Sequence, residues 1–239
     1  MKYAASILLL LLMSCSSLEE CVQRSGNITT IPADVPAFNK IRVNRGIALV
    51  IRQGDEQEVS IVTGENLLDD ITAEVADSTL ILTDHAPCNW RRAYGVTTVF
   101  VTVSELKQIS SHSEQKISSE GTLTFPRLHL NAVGNGTSEW HLNINNQELF
   151  IETNNVSGFY ISGATQQLTA AFYDGNGPLF AQDLTATNAY IFHRSSNHLR
   201  MKVTQSLSGD IWSTGNVYCT GLPAEINVNQ HFTGRLMLQ

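Results

Sequence analysis

The segment LHLNAVGNGTSEWHLNINNQELFIETNNVSGFYISGATQQLTAAF, Leu128 to Phe172, decides the fold. Within it Leu128 and Leu130, Leu149 and Ile151, and Leu168 and Ala170 stand two residues apart, the spacing of one inward strand face. Each pair is followed by a polar turn rich in Gly, Asn and Ser. Working outward, equivalent runs begin near Leu106, Asn188, Ser206 and Ala224, at intervals of roughly 18 to 22 residues, within the period range of stacked repeats. In the later runs Tyr190 with Phe192, and Ile226 with Val228, read as the inward pairs. One unit holds two strand-length runs and a tight corner, too little to bury an apolar face alone, so neighbouring units must stack. Gly and Asn recur at the corners because they tolerate positive φ. The expected architecture is all-β: a right-handed parallel β-solenoid of about seven short coils over residues 105–239, beside an N-terminal β region over 37–104. An antiparallel β-sandwich or meander of consecutive hairpins is the alternative.

Upstream of the repeats the chain also reads as strands. Phe38 to Val43, Ile47 to Ile51, Val59 to Thr63 and Val96 to Val103 are short β-rich runs bounded by Gly, Asp and Asn. Ile71–Val75 and Leu80–Thr83 flank Asp77-Ser78, the signal of a hairpin with a tight turn. Helical periodicity is confined to one turn around Glu65 to Asp70. Residues 15–36, punctuated by Gly26, Pro32 and Pro36, read as a tether.

Composition narrows the classes of function. The 239 residues are 42% hydrophobic and only 15% charged, against a norm of about 25% charged for globular chains. Ser, Thr, Asn and Gln therefore supply most of the polar surface. The formal net charge of -7 argues against nucleic acid and against adsorption to anionic lipid, both of which need a basic footprint. At the N-terminus, Lys2 precedes an apolar run from Ile7 to Met13, too short for a stable span of about 20 residues, so residues 1–14 read as a signal peptide. Leu12-Met13-Ser14-Cys15 resembles the bacterial lipobox, which makes Cys15 the expected lipidation site and ties the mature chain to a membrane without crossing it. Glu19-Glu20 resembles the export signal of surface lipoproteins. The expected location is the bacterial cell envelope, lipid-anchored in the outer membrane and exposed at the surface. Cys21, Cys88 and Cys219 remain, and spacing leaves their pairing open.

The sequence SGNITT at Ser25–Thr30, the stretch PAFNKIRVNRGIALVIRQGDEQEVSIVTGENLLDDITAEVADSTLILT from Pro36 to Thr83, and VTVSELKQIS leading into the leucine-led repeats together resemble the head GIN-domain auto-transporter adhesin family of Bacteroidetes lipoproteins. The resemblance covers nearly all of the mature chain. It implies a β scaffold and an adhesive role, and carries no catalytic signature. The turns depart from the family's S-G-A-S-like pattern: only Ser157-Gly158, Ser162-Gly163-Ala164 and Ser208-Gly209 retain part of it.

Candidate sites are few. Exposed aromatics stack on sugars or anchor proteins, and Trp90, Tyr94, Trp140, Tyr160, Tyr173 and Trp212 are the candidate ligand contacts, for a glycan or an envelope or surface protein. Asp77-Ser78-Thr79 fits a Bacteroidetes O-glycosylation pattern, making Ser78 a candidate acceptor, and is equally a good hairpin turn. Asp174-Gly175-Asn176-Gly177 has calcium-like oxygens but lacks the other ligands of a loop site. His193 and His198 bracket a corner without a carboxylate or thiol between them. No carboxylate cluster suited to polysaccharide cleavage is evident, since Asp174, Asp183 and Asp210 fall at different phases. No catalytic residues, cofactor or metal are expected. The function that follows is a scaffold for adhesion or ligand binding, with a structural or regulatory envelope component as the alternative and a polysaccharide-processing enzyme as a remote one.

Overall fold

The computed structural model describes residues 24–86 and 95–239. Its strands, in chain order, are β1 (Ile28–Pro32), β2 (Lys40–Val43), β3 (Ile47–Gln53), β4 (Glu58–Gly64), β5 (Ile71–Ala76), β6 (Thr79–Asp84), β7 (Thr97–Val103), β8 (Gln108–Ser111), β9 (Ile117–Leu123), β10 (Arg127–Ala132), β11 (Glu139–Thr153), β12 (Gly158–Phe172), β13 (Leu179–His193), β14 (Leu199–Ile211), β15 (Val217–Thr220), β16 (Glu225–Gln230) and β17 (Leu236–Leu238). A 3-10 turn, Glu65–Asp70, stands at the position read as one turn of helix.

From β8 onward each coil lies on the last in parallel register, so the chain is a parallel β-solenoid of about six turns. Residue 149 pairs with 168 and 168 with 189, an offset of one repeat, which rules out the hairpin-built alternative. The long strands β11 to β14 bend midway and serve two walls. Wall I stacks β8, β10, the second halves of β11 to β14, and β16. Wall II stacks β9, the first halves of β11 to β14, β15 and β17.

The core lies between the walls. On wall I the column Leu128, Leu149, Leu168, Ala189, Leu207 points inward, and on wall II the column Ile117, Trp140, Phe159, Leu179, Leu199, Val217; all are buried. Each fully buried Leu, Ile or Phe contributes about 1.5–3 kcal/mol from area removed from water. The register corrects one reading. Ala189 and Ile191, not Tyr190 and Phe192, are the inward pair of their coil, and Tyr190 is 41% exposed. At the last coil Ile226 and Val228 keep the inward phase, paired with Leu207 and Gly209, yet Ile226 is exposed.

Corners are held by side chains that satisfy backbone groups one coil away. Asn155 Nδ2 donates to Ala132 O at 2.6 Å and Gly134 O at 3.2 Å, while its Oδ1 accepts from Ser157 N at 2.8 Å. Two corners further along, Ser195 Oγ donates to Gly177 O and Asn197 Nδ2 to Asn176 O. Such bonds remove the cost of leaving buried backbone acceptors unpaired. Within wall I, Gly209 has φ +127, and a Cβ there would stand 1.9 Å from Ile191 O, so the coils approach more closely than any side chain allows.

The N-terminal strands enter the same stack out of chain order. β2 lies between β6 and β8 on wall I, and β3 between β7 and β9 on wall II, all parallel. Beyond them the pairing turns antiparallel: β5 on β6, β4 on β7 and β1 on β4 close that end. Ile28–Pro32, read as part of the tether, is therefore a capping strand. The β5–β6 hairpin turns at Asp77 and Ser78, with φ of 48° and 57°, the positive pair a two-residue turn of this kind requires.

Candidate functional site

The outward side of wall I presents a grid of side chains set by the register. Phe150, Thr169, Tyr190 and Ser208 form one row, and Glu152, Ala171, Phe192 and Asp210 the next. At the corner, Tyr173, Arg194, Trp212 and His231 each donate a backbone N–H to the coil before, and so stack as a third row. Along these rows the aromatic side chains form two pairs, with Arg194 on the coil between Tyr173 and Trp212. The rings of Tyr173 and Phe192 stand 5.7 Å apart and tilted, and Trp212 lies flat on His231 with 3.5 Å between centroids. Tyr173 is 40% and Trp212 46% exposed. Thr169 and Ser208, small residues on either side of Tyr190, leave no ring stacked on it in register.

Polar groups fix this patch in place. His231 Nε2 is 2.7 Å from Asp210 Oδ1, which also accepts from Asn229 Nδ2 at 3.2 Å. The His231 bond, ahead of the others, holds the Asp210 carboxyl below its usual range. Burial raises the Tyr173 phenol, with Glu152 and Tyr190 adding to it, so Tyr173 stays a neutral donor through physiological pH. Amphipathic aromatic side chains with Arg194 in the corner row have the composition of a binding hot spot.

Of the aromatics singled out in the sequence, Tyr173 and Trp212 are, among the described residues, the ones on this wall. Trp140 is fully buried, its indole stacked on Phe159 at 5.5 Å, because position 140 carries the inward phase of wall II; it is a core residue and contacts no ligand. Tyr160 belongs to wall II, in a ladder of His141, Tyr160, Phe180, Arg200 and Tyr218. Its ring stacks on His141 at 4.5 Å and Phe180 at 4.8 Å, nearly parallel to both, so its faces are occupied by its neighbours. Arg200 spans the Phe180 and Tyr218 rings at 5.4 and 5.1 Å. Trp90, Tyr94, Cys15, Cys21 and Cys88 lie outside the described residues. Tyr190 and Phe192 are the contributors that sequence reasoning missed.

The remaining candidates lie on turns and corners. Ser78 is exposed at the hairpin tip, and its carbonyl accepts from the N–H groups of Asn39 and Lys40 at 3.0 and 3.1 Å. Asp174 Oδ1 accepts from Gly175 N at 2.8 Å, a turn contact. His193 is inside the corner with neither ring nitrogen hydrogen-bonded, while His198 Nδ1 accepts from Asn216 N at 3.0 Å. Among the described residues no three of His, Cys, Asp and Glu come together as metal ligands. Cys219 is a free, buried thiol whose pKa burial raises. No helix of the described chain is long and apolar enough to cross a membrane.

Fold and site together define a β-solenoid scaffold bearing aromatic rows on its outer walls. The chain belongs to the family described as "Putative auto-transporter adhesin, head GIN domain", whose model matches residues 37–223. Among solved structures, a "putative adhesin" from Bacteroides fragilis aligns with a TM-score of 0.83 at 18% identity, over 91% of this chain and 100% of that one. A "putative adhesin" from Parabacteroides merdae aligns at 0.68 and 17% identity, over 90% and 98%. A "Putative lipid binding protein" from Parabacteroides distasonis aligns at 0.65 and 18% identity, over 90% and 99%. At these identities the likeness is one of fold. A search of curated proteins finds no match.

Proposed function

We propose that the protein is an adhesive binding module of the bacterial cell envelope, anchored by lipid on Cys15 and displayed at the outer surface, that holds a partner protein without catalysis. The observation that carries this reading is the outward aromatic group on wall I, with Tyr173, Tyr190 and Trp212 solvent-exposed and Phe192 half-buried beside Tyr173. Large aromatic rings beside an arginine supply contact area at low side-chain entropy, the pattern of protein-binding hot spots. The family and the solved relatives described as adhesins support the same class.

An array of envelope and extracellular proteins probed with the full chain tests this. A saturable hit is expected, weakened at least tenfold by combined Tyr173→Ala, Tyr190→Ala and Trp212→Ala with unchanged thermal melting. Absence of any saturable hit, or a hit indifferent to the triple variant, overturns the contact surface. For the anchor, palmitate labelling is expected to vanish in Cys15→Ala, and protease shaving of intact cells to remove the protein. Labelling that persists in the variant defeats the anchor assignment.

A further inference from the structure

On wall II a groove of about 340 Å³ runs across β11, β12 and β13, on a different wall from the aromatic patch. One side is formed by His141, Tyr160 and Phe180, in register on successive coils. Because their rings stack face on face, the groove meets ring edges, a largely apolar wall that also carries the His141 nitrogens and the Tyr160 hydroxyl. Facing it across the groove are Asn143, Ser162 and Asp183. At about 4.8 Å per strand, three coils make a trough about 10 Å from first to last strand.

The backbone is deformed at this place. Tyr160 pairs with Phe180, but Ser162 pairs with Asp183, so β13 carries one residue more than β12 across the groove. On its other side Ala181 pairs with Met201 and Thr185 with Lys202, so that four steps on β13 oppose one on β14. The bulge breaks the in-out alternation: Gln182 and Asp183 are consecutive and both exposed. Bulges of this kind re-aim side chains and are common beside binding sites. Here the side chain brought to the groove is a carboxylate, on a chain that otherwise has few charges.

On the polar side Asn143 Nδ2 donates to Thr122 Oγ1 at 3.1 Å, while the other groups are open to a ligand. Among the described residues neither Asp183 nor Ser162 makes a side-chain hydrogen bond or ion pair. Ser119 Oγ, also in the lining, accepts from Asn143 N at 2.9 Å and keeps its own hydrogen for a further acceptor. The groove therefore offers an apolar wall along one side and, along the other, a strong acceptor at Asp183 and hydroxyls at Ser162 and Ser119, spread over about 14 Å from β13 to β9. We propose that it binds a neutral oligosaccharide, whose hydroxyls donate to Asp183 and exchange hydrogen bonds with Ser162 and Ser119 while its C–H surface lies along the His141–Tyr160–Phe180 edges. Acidic sugars are disfavoured by the unpaired Asp183 and by the net charge of -7. The site is independent of the protein-contact patch on wall I.

Titration of the full chain with neutral hexose and N-acetylhexosamine oligomers, a uronate oligomer series and an oligolysine peptide tests the assignment. At least one neutral series is expected to saturate, with affinity reduced at least tenfold by Asp183→Ala and by Phe180→Ala, and unchanged by Trp212→Ala. Asp183→Asn, which keeps the shape and an acceptor, should retain part of the binding. Thermal melting of Asp183→Ala should match the parent, since the residue sits exposed on a bulge. Failure of every neutral series to saturate, tighter binding of the uronates, or oligolysine as the sole ligand lost with Asp183 would overturn the proposal. So would neutral-sugar binding that survives both substitutions.

Discussion

His193 shows what one side chain contributes to the corner. It is fully buried, packs edge-on against Phe172, and would be struck by a Cβ on Gly215, 2.6 Å from its Nε2. Burial lowers its pKa from 6.5 to about 4, with His198 nearby acting the same way and the backbone of Gly215 and Asn197 opposing. The folded chain therefore keeps the ring neutral where the unfolded chain takes up a proton. Stability from this group is complete above about pH 6.5 and is lost as pH falls toward 4. Between pH 7 and 4.5 the loss is about 2 kcal/mol, at 1.36 kcal/mol for each pKa unit. Urea unfolding of His193→Leu should lack this part of the pH dependence, so the gap between variant and parent should shift in the variant's favour by about that amount at pH 4.5. An unchanged gap would mean that the ring is solvated in the native state.

At the level of the element, the strand Leu179–His193 explains both what the sequence made legible and what it hid. The pairs in β10 and β12 are unambiguous because polar residues separate them, His129 between Leu128 and Leu130 and Thr169 between Leu168 and Ala170, and in β11 the polar Glu148 and Glu152 bracket Leu149-Phe150-Ile151 and fix the phase. In β13 the run Ala189-Tyr190-Ile191-Phe192-His193 has no such contrast. Its one polar side chain, His193, takes an inward position, so period-2 patterning pointed the wrong way by one residue. That slip turned two surface aromatics into apparent core and hid half of the wall I patch. Trp140 is the converse, an aromatic expected at the surface whose phase carries it inside. The register makes a sharp prediction. Ile191→Ala should cost about 2–5 kcal/mol through the cavity it leaves, whereas Tyr190→Ala, on the solvent side, should stay within about 1 kcal/mol. Chemical denaturation of the two variants checks it, and a larger loss at Tyr190 would reverse the assignment of the two faces.

Over the whole molecule, the repeats were readable because each coil repeats its neighbour's pattern, whereas the interleaving of β6 and β7 beneath β2 and β3 leaves no mark in a single chain. Alternation identifies a strand without naming its partner, and Ile41 and Val43 would look the same beside β6, β8 or both. This topology makes the two ends unequal. The N-terminal end is closed by the antiparallel strands β1, β4 and β5, and Arg52 reaches across to Glu120, tying β3 to β9. At the other end, among the described residues, β16 pairs with β14 alone and β17 with β15 alone, so each is bonded along one edge, and Ile226, Met237 and Leu238 are exposed. In a stack whose stability is the sum of coil and interface terms, a coil bonded on one side opens at the lowest free energy. Amide exchange should therefore rise in protection from β17 and β16 inward to a maximum in β11 to β13, where every coil has two neighbours. The capped strands β6 and β7 should be better protected than β16 and β17, although both pairs lie near an end. Exchange measured strand by strand decides this: equal protection at the two ends would show that the β1–β4–β5 cap adds nothing to the coils it covers.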